Sequence, residues 1–293
     1  MSIDPQTSIG PVSLTVRDLD GTREFYERVI GLRTLDRDGP VTALAGEEGR
    51  TLVELVRDPA APPRPPGTTG LFHLAILVPD RAELARSLRR VAEAGGRLAG
   101  ASDHLVSEAL YLTDPEGNGI EIYRDRPRDE WRHDGGELRM ATLPLDLRGL
   151  IDELRADVAP LGDASDLSPS ALPAGTRIGH VHLQVADLRA AESFYAELLG
   201  FEPTARGYPG ALFLSAGGYH HHIGLNTWAG EGAASPPAGA TGLRSFVVEL
   251  PDSGAVERTA ERLEAGDADP RRVDGSLELR DPSGNGIVLR ARS

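Results

Sequence analysis

Apolar residues fall along this chain in a repeating order: a strand-like run, a stretch with helical spacing, then about three further strand-like runs. The order occurs four times. In the first unit Asp20 is placed to cap a helix, Phe25 and Val29 mark its buried face, and Gly31 ends it. The strand-then-helix pattern returns at residues 72–94 and 245–265. Self-similarity groups the units into pairs. LTVRDLDGTREFYERVIGL from Leu14 matches LQVADLRAAESFYAELLGF from Leu183, and DPEGNGI from Asp114 matches DPSGNGI from Asp281. Two copies of one domain therefore lie in tandem, and an α+β fold of four βαβββ modules is expected. Residues 1–128 hold modules one and two, and residues 176–293 hold modules three and four.

The Pro-rich segments 58–67 and 229–242 read as turns or stiff loops between modules. Residues 129–175 read as a linker. Within it Leu147, Leu150, Ile151, Leu154 and Val158 fall on one helical face, so an amphipathic helix is expected to pack on the domains. The stretch HLVSEALYLTDPEGNGIE, from His104 to Glu121, combines this patterning with reactive side chains. Residues 106–112 and 120–123 read as strands around the turn formers Asp114, Pro115, Gly117, Asn118 and Gly119. The result is a hairpin whose returning strand carries Glu121 between Ile120 and Ile122, on the opposite face from both. A carboxylate in a partly buried, concave site needs a partner, because an unpaired charge there is costly.

Composition removes several classes of function. A formal charge of −14 over 293 residues, with no clustered Lys and Arg, argues against nucleic acid or an anionic membrane surface as partner. No apolar run reaches the roughly 18 residues of a membrane span, and MSIDPQTS lacks a secretory pattern, so a cytoplasmic location is expected. The absence of cysteine excludes disulfides, zinc-thiolate sites and thiol nucleophiles, so any metal must be held by nitrogen and oxygen. A homo-oligomer is compatible with the sequence.

Four such modules, VRDLDGTREFYERVIGL, GHVHLQVADL and the repeated DPxGNGI turns resemble the vicinal oxygen chelate superfamily, which includes glyoxalase I, bleomycin-resistance proteins and extradiol dioxygenases. Within it, H-x5-LY-x2-DP-x-G-x3-E from His104 to Glu121 resembles the signature of extradiol ring-cleavage dioxygenases, and nearly the whole chain resembles the two-domain catechol 2,3-dioxygenases. Ser102, two residues before the histidine, departs from the residues usual there. The resemblance implies metal ligands on the opening and closing strands of modules, facing the concave sheet. Aligned on their apolar pattern, the opening strands offer Pro11, His73, His180 and Ser245, and the closing strands Glu54, Glu121, Gly224 and Val288. Pairing module two with module three, within one chain or across a dimer, yields His73, His180 and Glu121. Two histidines and one carboxylate form the triad that leaves positions open on non-heme Fe(II).

The activity implied is extradiol cleavage of a catechol by O2 at Fe(II), with Mn(II) as an alternative ion for the same ligands. The rival readings are a glyoxalase-type isomerase or transferase and a metal-free binding protein of the same fold. By the resemblance His104 and Tyr111 orient the substrate, and His222 matches the acid-base histidine of a paired-histidine motif. Two-residue alternation through YHHHIGLN places His220, His222 and Gly224 on one face and His221 on the other, so His222 is expected in the cavity. His220 and His221 read as strand-end or surface residues. His182 falls on the ligand face and suits either the cavity wall or a structural hydrogen bond. Glu54 reads as a solvated or salt-bridged carboxylate, and His133 as an ordinary connector residue.

Overall fold

The computed structural model describes residues 2–156, 171–266, 268 and 270–292. Each of the four repeats forms an opening strand, a helix and three further strands. The opening strands are Ser8–Val16, Gly70–Leu77, Arg177–Gln184 and Gly242–Leu250; the closing strands are Thr51–Arg57, Gly119–Asp125, Ile223–Asn226 and Gly286–Ala291. A helix follows each opening strand because an aspartate caps its free N–H groups: Asp18, Asp80, Asp187 and Asp252 each accept from a backbone N–H two or three residues on. Asp18, not Asp20, is thus the first cap; Asp20 lies inside the first turn. That helix ends in a wide turn closed by Gly31, whose φ of 92° suits glycine.

The sheets cut across the two halves of the sequence. The opening strands of modules two and three pair antiparallel in one nine-stranded sheet, and those of modules one and four pair likewise in an eight-stranded sheet. Modules two and three therefore meet within one chain. In each module the opening and closing strands run parallel, side by side, in the middle of the sheet. Alternation then sorts the side chains. On Gly70–Leu77, Leu74 and Ile76 are fully buried in the apolar core beneath the helices, while His73 and Ala75 take the other, concave face.

The linker helix spans Leu147–Ala156 and packs on helix Arg81–Glu93. Leu150 is fully buried and Leu154 partly so, whereas Leu147 and Ile151 face outward; Val158 lies outside the described residues. Just before this helix, Leu143–Pro144 adds a short edge strand beside Gly100–Asp103. The linker thereby reaches the rim of the nine-stranded sheet. Among the described residues no helix is long and apolar enough to cross a membrane.

Candidate metal centre

Strand register brings together three residues that are far apart in the chain. Ala75 pairs with Glu121 on one side and with His180 on the other, while His73 stands two residues before Ala75 on the same face. Glu121 Oε2 consequently lies 3.0 Å from His73 Nε2 and 3.1 Å from His180 Nε2. One ligand atom from each residue fits within 4.8 Å of the others, and all three side chains are buried. His73 Nε2 is close to the carboxylate yet lacks hydrogen-bonding geometry to it, so it stands as a buried nitrogen without a hydrogen-bond partner. Two imidazole nitrogens and one carboxylate oxygen aimed into the same small space suit a divalent cation better than they suit one another.

The electrostatics favour the ligating protonation states. Burial tends to raise the Glu121 carboxyl, but the charge and hydrogen bond of His180, with the nearby His73 ring, outweigh it and hold the group well below the usual carboxylate range. Burial lowers the His180 imidazole to about 4 against the opposing pull of Glu121, which leaves it neutral near pH 7.

These residues form the floor of a cavity of about 590 Å³ whose walls include Phe72, Phe213 and Trp228. His182 joins that wall, its ring 5.2 Å from Phe72 and 5.4 Å from Trp228, and its Nε2 has no hydrogen-bond partner. Gly224, opposite His182 in register, stands on its closing strand where Glu121 stands on the other; a Cβ there would meet the His182 ring at 2.9 Å. On the far side of the triad His104 and Tyr111 act as a pair. His104 Nδ1 lies 2.7 Å from the Ala141 carbonyl and therefore donates to it, so Nε2 accepts the Tyr111 hydroxyl at 2.6 Å. Burial, reinforced by the neighbouring Glu121 charge, raises the Tyr111 phenol well above its usual range. The linker contributes here too: Met140 and Thr142 line the cavity, and Thr142 bonds the Tyr208 hydroxyl at 2.6 Å.

The histidine run departs from expectation. The regular strand begins at Ile223, and although the His222 backbone still bonds Leu214 and Val181, two-residue alternation does not hold through residues 220–222. His222 lies off the cavity: its Nδ1 accepts from the Ala216 N–H at 3.1 Å, and its ring packs near Tyr219 and Phe201. Burial pushes it down to about 3. His221 instead lines the cavity, with its ring centroid 4.1 Å from that of His180. Both His220 and His221 are buried, not surface residues. The signal in the sequence was Ile223 as the first apolar residue after the run. His133 is exposed and Glu54 half-buried in the other sheet.

The family model of the Glyoxalase/Bleomycin resistance protein/Dioxygenase superfamily matches residues 8–122 and 177–289. A catechol-2,3-dioxygenase of Bacillus subtilis (strain 168) is 42% identical over 285 residues, 96% of each chain. Among solved structures, glyoxalase I from Zea mays superposes with a TM-score of 0.57 at 18% identity, over 97% of this chain and 92% of that one. A Bacillus subtilis subsp. subtilis str. 168 protein provisionally called a dioxygenase gives 0.65 at 14%, over 99% and 86%. These two likenesses establish the fold alone. The family match across both halves and the near full-length relative place this chain in the Glyoxalase/Bleomycin resistance protein/Dioxygenase superfamily, where it resembles the catechol-2,3-dioxygenases.

Proposed function

We propose that the chain cleaves the ring of catechol or a substituted catechol beside its diol, consuming O2, with Fe(II) held by His73, His180 and Glu121. Mn(II) suits the same donors. The observation that carries this reading is the convergence of three buried ligand atoms within 4.8 Å on the floor of an aromatic-walled cavity. The 42% identical relative is a catechol-2,3-dioxygenase, which supports the same reaction class. When bound, the ion supplies open neighbouring positions at which a diol and O2 can meet and exchange electrons.

The protein side chains do the remaining work. Phe72, Phe213 and Trp228 offer ring faces and edges to an aromatic substrate and restrict water around it. Tyr111, kept as a phenol, and His104 form a hydrogen-bonded pair that orients a substrate oxygen beside Glu121. His221 takes the role that the sequence assigned to His222. Burial lowers its imidazole well below the ordinary value, which keeps it neutral near pH 7 but weakens it as a base. Its role in taking the second phenolic proton and returning it rests on its place in the cavity beside His180. A glyoxalase-type site generally completes its shell with a fourth protein ligand, and Gly224 supplies no donor there.

The test is direct: protein purified without oxygen and loaded with Fe(II) is mixed with catechols and O2. A yellow ring-fission product is expected. Colourless mixtures with several catechols, despite full iron loading, overturn the assignment.

A further inference from the structure

Behind His221 lies a chain of hydrogen bonds that the ring-cleaving reaction as described does not use. His221 Nδ1 is 2.8 Å from His220 Nδ1, and His220 Nε2 is 2.9 Å from Asp125 Oδ1. Asp125 sits at the end of the strand that also carries Glu121 and is 24% exposed, whereas His220 is fully buried. The carboxylate is itself held in place. Tyr219 donates its hydroxyl to Asp125 Oδ1 at 3.1 Å and accepts that of Tyr123 at 2.8 Å. Tyr123 in turn needs Gly179, since a Cβ at that position would lie 1.8 Å from its hydroxyl oxygen. Trp131 covers His220 at 5.5 Å between ring centroids.

This order of contacts determines where the protons are. An ionised carboxylate accepts only, so with a single proton on its ring His220 carries it on Nε2 and donates it to Asp125. The opposite tautomer would set two lone pairs against each other at 2.9 Å. His220 Nδ1 is then an acceptor, and His221 must donate from its own Nδ1. The nitrogen left to His221 for the cavity is Nε2, bearing a lone pair. We infer that Asp125 and His220 are positioning residues that lock His221 in the Nδ1–H tautomer and so present Nε2 to the substrate as a proton acceptor. The pairing resembles in principle the way a buried carboxylate sets the tautomer of a catalytic histidine in hydrolytic triads, extended here by one imidazole. The catalytic consequence rests on the ring-cleaving reading above, whereas the tautomer is a property of the folded chain alone.

The two are tested separately. In the full chain labelled with 15N-histidine and freed of metal by a chelator, long-range 1H–15N correlation spectra report the tautomer of His221 directly. The expected result is Nδ1–H in the unaltered protein and a shift toward Nε2–H in Asp125→Ala and in His220→Phe. Asp125→Asn, whose amide oxygen can still accept from His220, is expected to restore the original tautomer. In iron-loaded protein Asp125→Ala should lose at least about 10-fold in kcat, with KM changed by less than about threefold and iron content unchanged. His221 found as Nε2–H in the unaltered protein overturns the inference, as does a tautomer that ignores both substitutions. Should no catechol be cleaved at all, the spectra still decide the tautomer; should Asp125→Ala misfold, His220→Phe and Asp125→Asn carry the test.

Discussion

The two sheets share a strand plan and a register, yet among the described residues only one of them gathers side chains that could hold a metal ion. In the nine-stranded sheet the opening and closing strands present His73, His180 and Glu121, with Gly224 as the fourth position. In the eight-stranded sheet Ser13 pairs with Glu54 and Val247 with Val288, which puts Pro11 and Ser245 where the histidines would stand. There the concave face instead holds Glu249, 1% exposed and paired with Arg50 and Arg290. Among the described residues the triad is the one group of side chains placed to hold a metal. What is common to both sheets belongs to the fold, and what differs belongs to the chemistry.

The repeated turns show the same division. Asp114 accepts from the Glu116 and Asn118 N–H groups and from Tyr26, and Asp281 accepts from Ser283, Asn285 and Tyr195 in the same way. The motif occurs in both sheets, so it reports the architecture and not the reaction.

The largest expected effect separates the sheets outright. His73→Ala or Glu121→Ala should abolish iron retention and lower turnover by about 1,000-fold or more, because two donors cannot hold the ion. Glu54→Ala and Ser245→Ala, at the equivalent places in the other sheet, should leave iron content unchanged by elemental analysis. Next in size, His221→Ala should keep iron and lose about 100- to 10,000-fold in kcat, the usual range for an acid-base group. His222→Gln should retain turnover within a few-fold in the same assay, since that ring bonds only the Ala216 backbone.

A smaller pair of effects should be equal in both sheets. Asp114→Ala and Asp281→Ala each leave buried N–H groups without acceptors and should each cost about 1–3 kcal/mol by denaturant unfolding. A pH effect follows from His180. Its folded value of about 4 lies below the ordinary 6.5, so between these values the unfolded chain binds a proton that the folded chain does not. Stability of the metal-free protein is therefore complete above about pH 6.5 and lost as the pH falls toward 4, and thermal melts across that window should show it. His222, lowered to about 3 by burial, adds a loss of the same sign over pH 6.5 to 3, and His222→Gln should flatten that part of the curve.

Much of this was legible in the sequence because it depends on strand register. The alternation that keeps Leu74 and Ile76 in the core also sends His73 to the concave face, and the repeat supplied the matching position of His180. The first helix cap was misplaced by two residues because both Asp18 and Asp20 suit the role, and only the backbone geometry chooses. His221 was missed for a related reason: residues 220–222 precede the strand, where side-chain direction follows the loop and its Asp125 and Ala216 contacts. Nor could pattern reveal that Met140 and Thr142 of the linker line the cavity, because tertiary packing alone brings them there.

A crystal structure of anaerobically purified protein, with anomalous diffraction measured at the iron edge, tests the central claim most directly. One peak per chain is expected, bonded to His73, His180 and Glu121 of the nine-stranded sheet. A peak bonded elsewhere, or fully iron-loaded protein with no density between those three side chains, would contradict it.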